Sequence, residues 1–120
     1  MVEKVSLAQK LNLFQEYWSP KIVGEVNDSY VKVVKFKGEF DWHRHEREDE
    51  LFLVLKGKFC LCLRTGDVWL EVGEFAVVPH GVEHKPVADE ETHVLLLEPK
   101  STLNTGDVRS ERTRTTLDRI

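Results

Sequence analysis

Between Pro20 and Pro99 the sequence breaks into short runs of strand-forming residues, separated at close intervals by residues that favour turns. Gly, Asn and Asp recur between the runs, where a chain can reverse direction tightly. About eight short strands with hairpin-type turns are typical of a β-sandwich or barrel, so we predict an all-β domain over residues 20–99. The predicted strands are Ile22–Val26, Tyr30–Phe36, Glu39–His45, Glu50–Leu55, Lys58–Arg64, Val68–Glu71, Glu74–Val78 and His93–Glu98.

The residues before Pro20 have a different pattern, which predicts one short helix in an N-terminal helical segment, residues 1–19. Ser6 and Gln9 have the spacing of a capping box, in which the serine caps the first helical turn. Apolar residues then recur at helical spacing up to Phe14. We predict a helix over residues 7–16, which ends before Pro20 because the residue preceding a proline avoids the α region.

After Pro99 the chain becomes polar and rich in Arg and Thr, so we treat residues 100–120 as a polar C-terminal tail. The simpler interpretation is that the last eight residues are solvated. The alternative is that the tail packs over the mouth of the barrel, or on a partner subunit, and offers Arg109 or Arg112 to an anionic ligand. The sequence leaves both interpretations open.

Length and charge exclude several classes of protein. A chain of 120 residues with a net charge of −4 fits one domain and carries no basic stripe for nucleic acid. Residues 1–18 are charged throughout, unlike a signal peptide, and no apolar run approaches the roughly 18 residues of a membrane span. Cys60 and Cys62, two residues apart on a strand, are poorly placed for a disulfide with each other. We therefore expect reduced cysteines and a cytoplasmic protein.

Three histidines and one glutamate have the spacing of a metal site. His43 and His45 share one face if they lie on a strand, because side chains alternate along strands. Glu50 opens the next predicted strand, and His84 follows a Pro-x-Gly turn. Three imidazole nitrogens and a carboxylate suit Fe, Mn, Co, Ni, Cu or Zn better than Ca or Mg. Either Asp49 or Glu50 could supply the carboxylate, and we favour Glu50 because it shares a face with apolar positions of its strand.

The same residues stand in two segments that resemble the two motifs of the cupin family. The first reads Gly38-x4-His43-x-His45-x4-Glu50-x6-Gly57, and the second reads Gly73-x5-Pro79-x-Gly81-x2-His84. The first spacer is one residue shorter than in the family pattern, and Ala88 replaces the Asn that ends the second motif. The chain is most similar to small single-domain cupins of the cupin 2 or mannose-6-phosphate isomerase-like type.

This resemblance implies a small cupin β-barrel or jelly roll with a short N-terminal helix. It also implies that His43, His45, Glu50 and His84 bind one divalent transition metal inside the barrel, and that the protein forms a homodimer. From strand parity we expect an apolar wall around the metal, formed by Phe36, Phe52, Val54, Phe75 and Val77. The run from Phe59 to Leu63 is apolar on both faces, which fits a subunit interface.

Other candidate residues carry weaker signals. His80 lies in the Pro-x-Gly turn and could transfer a proton, although such a histidine is more often a surface residue. His93 begins the last predicted strand and could line the pocket or face solvent. Cys60 and Cys62 could bind a soft metal, but two small buried apolar residues are the commoner interpretation.

Two functions fit these features. In the first, the chain is a metal-dependent dioxygenase, isomerase, lyase or decarboxylase that acts on a small, oxygen-rich metabolite. In the second, it is a non-catalytic module that binds a metal, a carbohydrate or another small molecule. The complete set of four ligands favours the enzyme, but a cupin fold is compatible with both.

Overall fold

The computed structural model describes residues 2–120, which form a barrel of antiparallel strands preceded by one short helix. Each pairing between named strands is antiparallel, as the closely spaced hairpin turns of the sequence require. The elements, in chain order, are α1 (Leu7–Leu11), β1 (Lys21–Val26), β2 (Ser29–Glu39), β3 (Glu50–Lys56), β4 (Lys58–Leu63), β5 (Gly66–Glu71), β6 (Phe75–Val78) and β7 (His84–Pro99).

The long strand β7 joins the two sides of the barrel. Its second half lies between β2 and β3 in a sheet of order β1-β2-β7-β3-β6, while its first half pairs with β4, which in turn pairs with β5. The β3–β4 hairpin turns at Gly57, whose φ of 80° favours glycine. A Cβ at Gly57 would lie only 2.9 Å from Oγ1 of Thr92 on β7, so this glycine lets the hairpin approach β7 closely.

Side chains from alternate strand positions fill the barrel and form its core. Trp18 stacks on Phe36 and Phe40, with ring centroids 4.4 and 4.9 Å apart, and Phe36 meets Phe59 edge to face. The core cluster consists of Trp18, Val34, Phe36, Phe40, Phe52, Val54, Phe59, Leu61, Leu70, Val78, Ala88, Val94 and Leu96. This aromatic core surrounds the polar residues described below.

The N-terminal helix is capped as predicted but is shorter than residues 7–16. Oγ of Ser6 accepts a hydrogen bond from the backbone N–H of Gln9. The helix ends at Leu11, and the carbonyl of Phe14 accepts a hydrogen bond from Nζ of Lys35. The Phe14 ring packs with Leu11 against Val33 on the outer face of β2, so tertiary contacts prevail over the helical pattern.

Six of the eight predicted strands coincide with observed strands, with ends that agree to within three residues. The prediction of a strand at Glu39–His45 is wrong, because β2 continues only to Glu39 and the next strand begins at Glu50. The prediction for His93–Glu98 covers only the second half of β7. Its first half, from His84, contains Pro86 and an acidic stretch that do not resemble a strand in sequence.

Two expectations about apolar surfaces are also corrected. Phe75 and Val77 do not line the interior: they pair with Leu53 and Leu51 on the outer face, and they are 61% and 51% exposed. In β4, the side chains on both faces from Phe59 to Leu61 are buried within the chain itself. The two-sided apolar pattern of β4 therefore does not require a partner subunit. Within residues 2–120, no helix combines the length and apolar character needed to cross a lipid bilayer.

Candidate metal centre

The loop after β2 carries the two closely spaced histidines. Although His43 does not lie in a strand, its backbone pairs with that of His84 through two hydrogen bonds of 3.0 and 2.8 Å. This isolated bridge joins the loop to the start of β7. Glu50 begins β3, so the hairpin framework places its carboxylate beside the loop. Glu50 and His84 thus lie in strands, and His43 is held by the bridge to His84. His45 is held through its backbone carbonyl, which accepts a hydrogen bond from the N–H of Gly81.

The structure brings the four side chains of His43, His45, Glu50 and His84 together inside the barrel. All four residues are at most 4% exposed, and one donor atom from each lies within 4.8 Å of the others. Oε1 of Glu50 is 3.3 Å from Nε2 of His45 and 3.4 Å from Nε2 of His84. The exposed side chain of Asp49 points to solvent, as the strand parity predicted.

Two of the histidines are oriented by backbone carbonyls. Nδ1 of His43 donates to the carbonyl of Asp41 at 2.8 Å, and Nδ1 of His84 donates to that of Val82 at 2.9 Å. Because a carbonyl oxygen only accepts, the proton is on Nδ1 in the neutral ring and the lone pair is on Nε2. Hydrogen bonds of this type fix the orientation and tautomer of metal-binding histidines.

Several polar atoms at the centre of the group have no hydrogen-bond partner among residues 2–120. They include both ring nitrogens of His45, Nε2 of His84 and Oε1 of Glu50. Burial of an unpaired polar atom is costly, so a cluster of such atoms calls for a partner. Imidazole nitrogens and a carboxylate suit a divalent transition metal, so the residues present fit such an ion.

Burial and neighbouring groups favour the protonation states that bind metal. Burial, with the adjacent His84, lowers the pKa of His43 to about 4, so its ring is neutral at pH 7. Burial by itself raises the pKa of Glu50, but the adjacent side chains of Glu98, His45 and His84 hold this pKa well below its ordinary value. A neutral imidazole and an ionised carboxylate are the forms that ligate a metal.

A buried ion pair that was not predicted from the sequence lies next to Glu50. Nζ of Lys32 is 2.7 Å from Oε1 of Glu98, and both side chains are 1% exposed. Burial and the Glu50 carboxylate raise the pKa of Glu98, whereas the Lys32 ammonium opposes this rise. Lys32 shares strand parity with the core residues Val34 and Phe36, and this was the available signal.

A small cavity of about 30 Å³ adjoins the four-residue group. Phe36 and Phe52 line it, as the sequence predicted, whereas Val54 lies in the core without lining it. Trp18, Phe40, Pro86 and Asn104 line it as well and were not predicted. No Lys or Arg is among the described residues that line the cavity.

Residues 101–113, here named the covering segment, pack against the histidine loop. The backbone of Asp107 donates to the carbonyl of Arg44, and the Asp107 carboxylate accepts from the backbone of Arg44. Ser110 and Arg112 both bind the carboxylate of Asp41. The tail thus covers this end of the barrel, and Arg112 is engaged with Asp41.

The final residues of the tail are attached to the barrel. The backbone of Ile22 on β1 accepts from the N–H of Ile120 and donates to the carbonyl of Asp118, so these residues are not freely solvated. Arg119 nevertheless has an exposed side chain, as expected of a polar tail.

The remaining candidate residues face away from the four-residue group. The His80 side chain is 63% exposed and hydrogen-bonded to Asp49. His93 pairs with Lys35 on the outer face of β7 and binds Glu91. Cys60 and Cys62 are free thiols, and burial together with Cys62 raises the pKa of Cys60 to about 12. The structure therefore adds no second acid–base group from these residues to the cavity.

Comparison with known proteins agrees with this geometry. A family model for the cupin domain matches residues 30–99, which include both histidine motifs and more than half of the chain. The chain belongs to the Cupin_2 family. The fold predicted from the sequence, a small cupin with a short N-terminal helix, is therefore confirmed.

Three proteins illustrate what this cupin is similar to. A cupin-2 domain protein of Shewanella frigidimarina has 42% identity and a TM-score of 0.79, over 80% of this chain and 94% of its own. The Bacillus subtilis protein YdbB is 34% identical over 65% of this chain and 70% of its own length. An acireductone dioxygenase of Phaeosphaeria nodorum is 31% identical over 78% of this chain, and the match spans 56% of the dioxygenase.

Proposed function

We propose that this cupin is a metal-dependent enzyme acting on a small, oxygen-rich metabolite, with His43, His45, Glu50 and His84 holding one divalent transition metal. The observation that carries the proposal is the buried convergence of unpaired nitrogen and oxygen atoms beside an apolar cavity. The donor set is compatible with Fe, Mn, Ni, Cu, Co or Zn. A bound ion of this class would supply Lewis-acid or redox chemistry.

The protein's own residues would hold and shield this centre. The carbonyls of Asp41 and Val82 keep Nε2 of His43 and His84 directed at the site. Glu98, held by Lys32, supports the carboxylate of Glu50 from behind. Aromatic and aliphatic side chains line most of the cavity, so charges that develop there would interact more strongly than they would in bulk solvent.

Among the reaction classes expected from the sequence, we favour a dioxygenase. The similarity to an acireductone dioxygenase supports oxygen chemistry, although this chain spans little more than half of that enzyme. A cavity of about 30 Å³ holds about two water-sized molecules. An organic substrate would therefore enter by displacing part of the covering segment near Asn104, which lines the cavity.

The first experiment is elemental analysis of the purified protein without an affinity tag, alongside the His84→Ala variant. We expect about one transition-metal ion per chain in the wild type and a sharp loss in His84→Ala, because one of four ligands is removed. The matched control is His80→Ala, which removes an exposed histidine four residues before His84 and should retain the metal. Normal metal content in folded His84→Ala would contradict the assignment.

The reaction is tested with the metal-loaded protein and a panel of small enediols and 2-oxo acids in an oxygen electrode. Uptake of oxygen that depends on one of these compounds, and that is lost in His84→Ala, is expected. Binding of a compound without turnover would instead favour the non-catalytic module, the second candidate. The specific observation for that candidate is that His80 and His93 both face away from the cavity.

Two narrower inferences remain part of the proposal. The mannose-6-phosphate isomerase-like character and the cytoplasmic location are expectations from the sequence. A sugar phosphate would need a cation to bind it, and the described lining offers none, so we rank isomerisation of such a substrate below oxygen chemistry.

The homodimer expected from the family resemblance would use a different surface from the one predicted. Six apolar side chains form two rows on the outer face of β6, β3 and β7, and we name them the outer apolar patch: Leu51, Leu53, Phe75, Val77, Leu95 and Leu97. Contiguous apolar surface of this kind marks an interaction site, and a second copy could present the same rows to it. Phe75→Lys should give a monomer in light scattering after gel filtration, whereas a wild-type monomer would contradict the dimer.

A further inference from the structure

The outer face of the sheet formed by β5, β4 and the first half of β7 carries a second cluster of metal-binding side chains. Phe59 and Leu61 of β4 point into the core, so alternation directs Cys60 and Cys62 to the opposite face. In the strand register, Cys62 lies directly opposite Asp67 on one side and Lys85 on the other.

The three donor groups of this cluster, from Cys60, Cys62 and Asp67, are close together and differ in solvent exposure. Sγ of Cys60 is 3.4 Å from Sγ of Cys62, and a carboxylate oxygen of Asp67 lies within 4.8 Å of both sulfur atoms. Cys60 is buried, Cys62 is half-buried and Asp67 is exposed, so an ion could approach from solvent and end at the deepest sulfur.

The strand geometry favours a shared cation over a disulfide between the two sulfurs. Residues i and i+2 of a strand have Cα atoms about 6.4–6.8 Å apart, which is the upper limit for a disulfide, and the sulfurs would have to approach to about 2.05 Å. Two thiolates at about 2.3 Å from a tetrahedral zinc ion lie about 3.8 Å apart. The observed separation of 3.4 Å needs only a small adjustment to reach that value.

We propose that Cys60, Cys62 and Asp67 form a second metal site, distinct from the four-residue group inside the barrel, that binds a thiophilic divalent cation of the Zn²⁺ and Cd²⁺ class. Thiolates select soft or borderline metals, and a carboxylate oxygen is a regular third ligand of zinc. Two thiolates and one carboxylate against a divalent ion leave one negative charge, and Lys85, which also binds Glu39, is the cationic residue opposite Cys62 in the strand register.

The test uses the full-length reduced protein titrated with Cd²⁺ and followed by thiolate-to-metal charge-transfer absorption in the ultraviolet. Only sulfur ligands give this band, so the His and Glu ligands of the barrel contribute nothing to it. We expect the band to saturate at one thiolate-bound Cd²⁺ per chain, and to reach the same final intensity in His84→Ala. The outcome is therefore independent of the metal centre proposed inside the barrel.

Three variants complete the test. Cys62→Ser, which changes a half-buried residue by one atom, should abolish the band. Asp67→Asn should weaken Cd²⁺ binding by at least about tenfold. Loss of a residue that only hydrogen-bonds to a metal ligand already costs about that much, and Asp67 is a proposed ligand. The matched control Glu71→Gln removes an exposed carboxylate from the same face of β5 and should bind Cd²⁺ as the wild type does.

Specific results would overturn the proposal. Absence of the band would leave only a hydrogen-bonded thiol pair, and saturation at one Cd²⁺ per two chains would indicate a bridge between molecules. Wild-type affinity in Asp67→Asn would exclude the third ligand. A mass lower by two hydrogens after exposure to air, without metal uptake, would assign the pair as a disulfide. Circular dichroism of each variant establishes that it is folded.

Discussion

Replacement of Lys32 by Met should destabilise the protein strongly, because it leaves Glu98 buried next to Glu50 with no cation. Nζ of Lys32 is 2.7 Å from Oε1 of Glu98, and both side chains are 1% exposed. Removal of one partner of a buried ion pair costs about 3–5 kcal/mol. Burial and Glu50 already raise the pKa of Glu98. In Lys32→Met, Glu98 can therefore take up a proton and lose its buried charge, which places the expected loss of unfolding free energy near the lower limit of about 3 kcal/mol.

The assay is urea denaturation of chelator-treated protein at pH 7, with thermal unfolding as a second measurement. A loss of about 3 kcal/mol corresponds to a fall in Tm of about 10–15 °C for a domain of this size. Metal must be absent from both proteins, because an ion bound at Glu50 would add a stabilisation of its own.

Two further variants separate the ion pair from general damage. Glu98→Met in the Lys32→Met background should recover stability to within about 1 kcal/mol of the wild type, because an apolar pair replaces a buried ionic one. Lys85→Met breaks the more exposed pair with Glu39 and should cost less than about 1 kcal/mol. A loss below about 1 kcal/mol in Lys32→Met, or a double variant no more stable than the single one, would refute the reasoning.

Metal removal, pH and the covering segment give three more predictions. Adding the bound metal back to chelated protein at about 100 times its Kd should raise the free energy of unfolding by about 2.7 kcal/mol, and an unchanged Tm would argue against a folded-state site. The pKa of His43 is lowered to about 4, so between pH 6.5 and 4 the unfolded chain binds the extra proton. Chelated protein should thus lose up to about 3 kcal/mol as pH falls through this window, and a flat profile by denaturation would contradict the burial argument. Gly106→Ala should cost at least about 1 kcal/mol and expose residues 101–113 to proteolysis, because a Cβ there would overlap the carbonyl of Arg44 and φ is 56°. Wild-type resistance to protease would show that the segment tolerates the change.

The outer apolar patch shows how far strand parity can be used without a known register. In β3, Glu50, Phe52 and Val54 face inwards as expected, because each pairs or packs with core residues. In β6, the sequence pattern predicts Phe75 and Val77 on the inner face, whereas both side chains lie on the outer face. A shift of one residue moves a whole strand's side chains to the other face, and only the pairing of Leu53 with Phe75 decides the phase.

The sequence by itself determined the features that depend on local spacing. Short strand-forming runs and their turns define the all-β class, and the two histidine motifs identify the cupin family and the four residues that the barrel brings together. Spacing is enough for these inferences because strand alternation and turn geometry act over a few residues.

Only the tertiary structure decided which distant residues support or cover the site. Glu98 is 48 residues beyond Glu50 in the sequence, and the antiparallel pairing of β3 with β7 brings the two together. The covering segment contacts Asp41 and Arg44, which precede it by more than 60 residues in the sequence. Long-range pairing and burial set these contacts, and neither leaves a periodic signal in the local sequence.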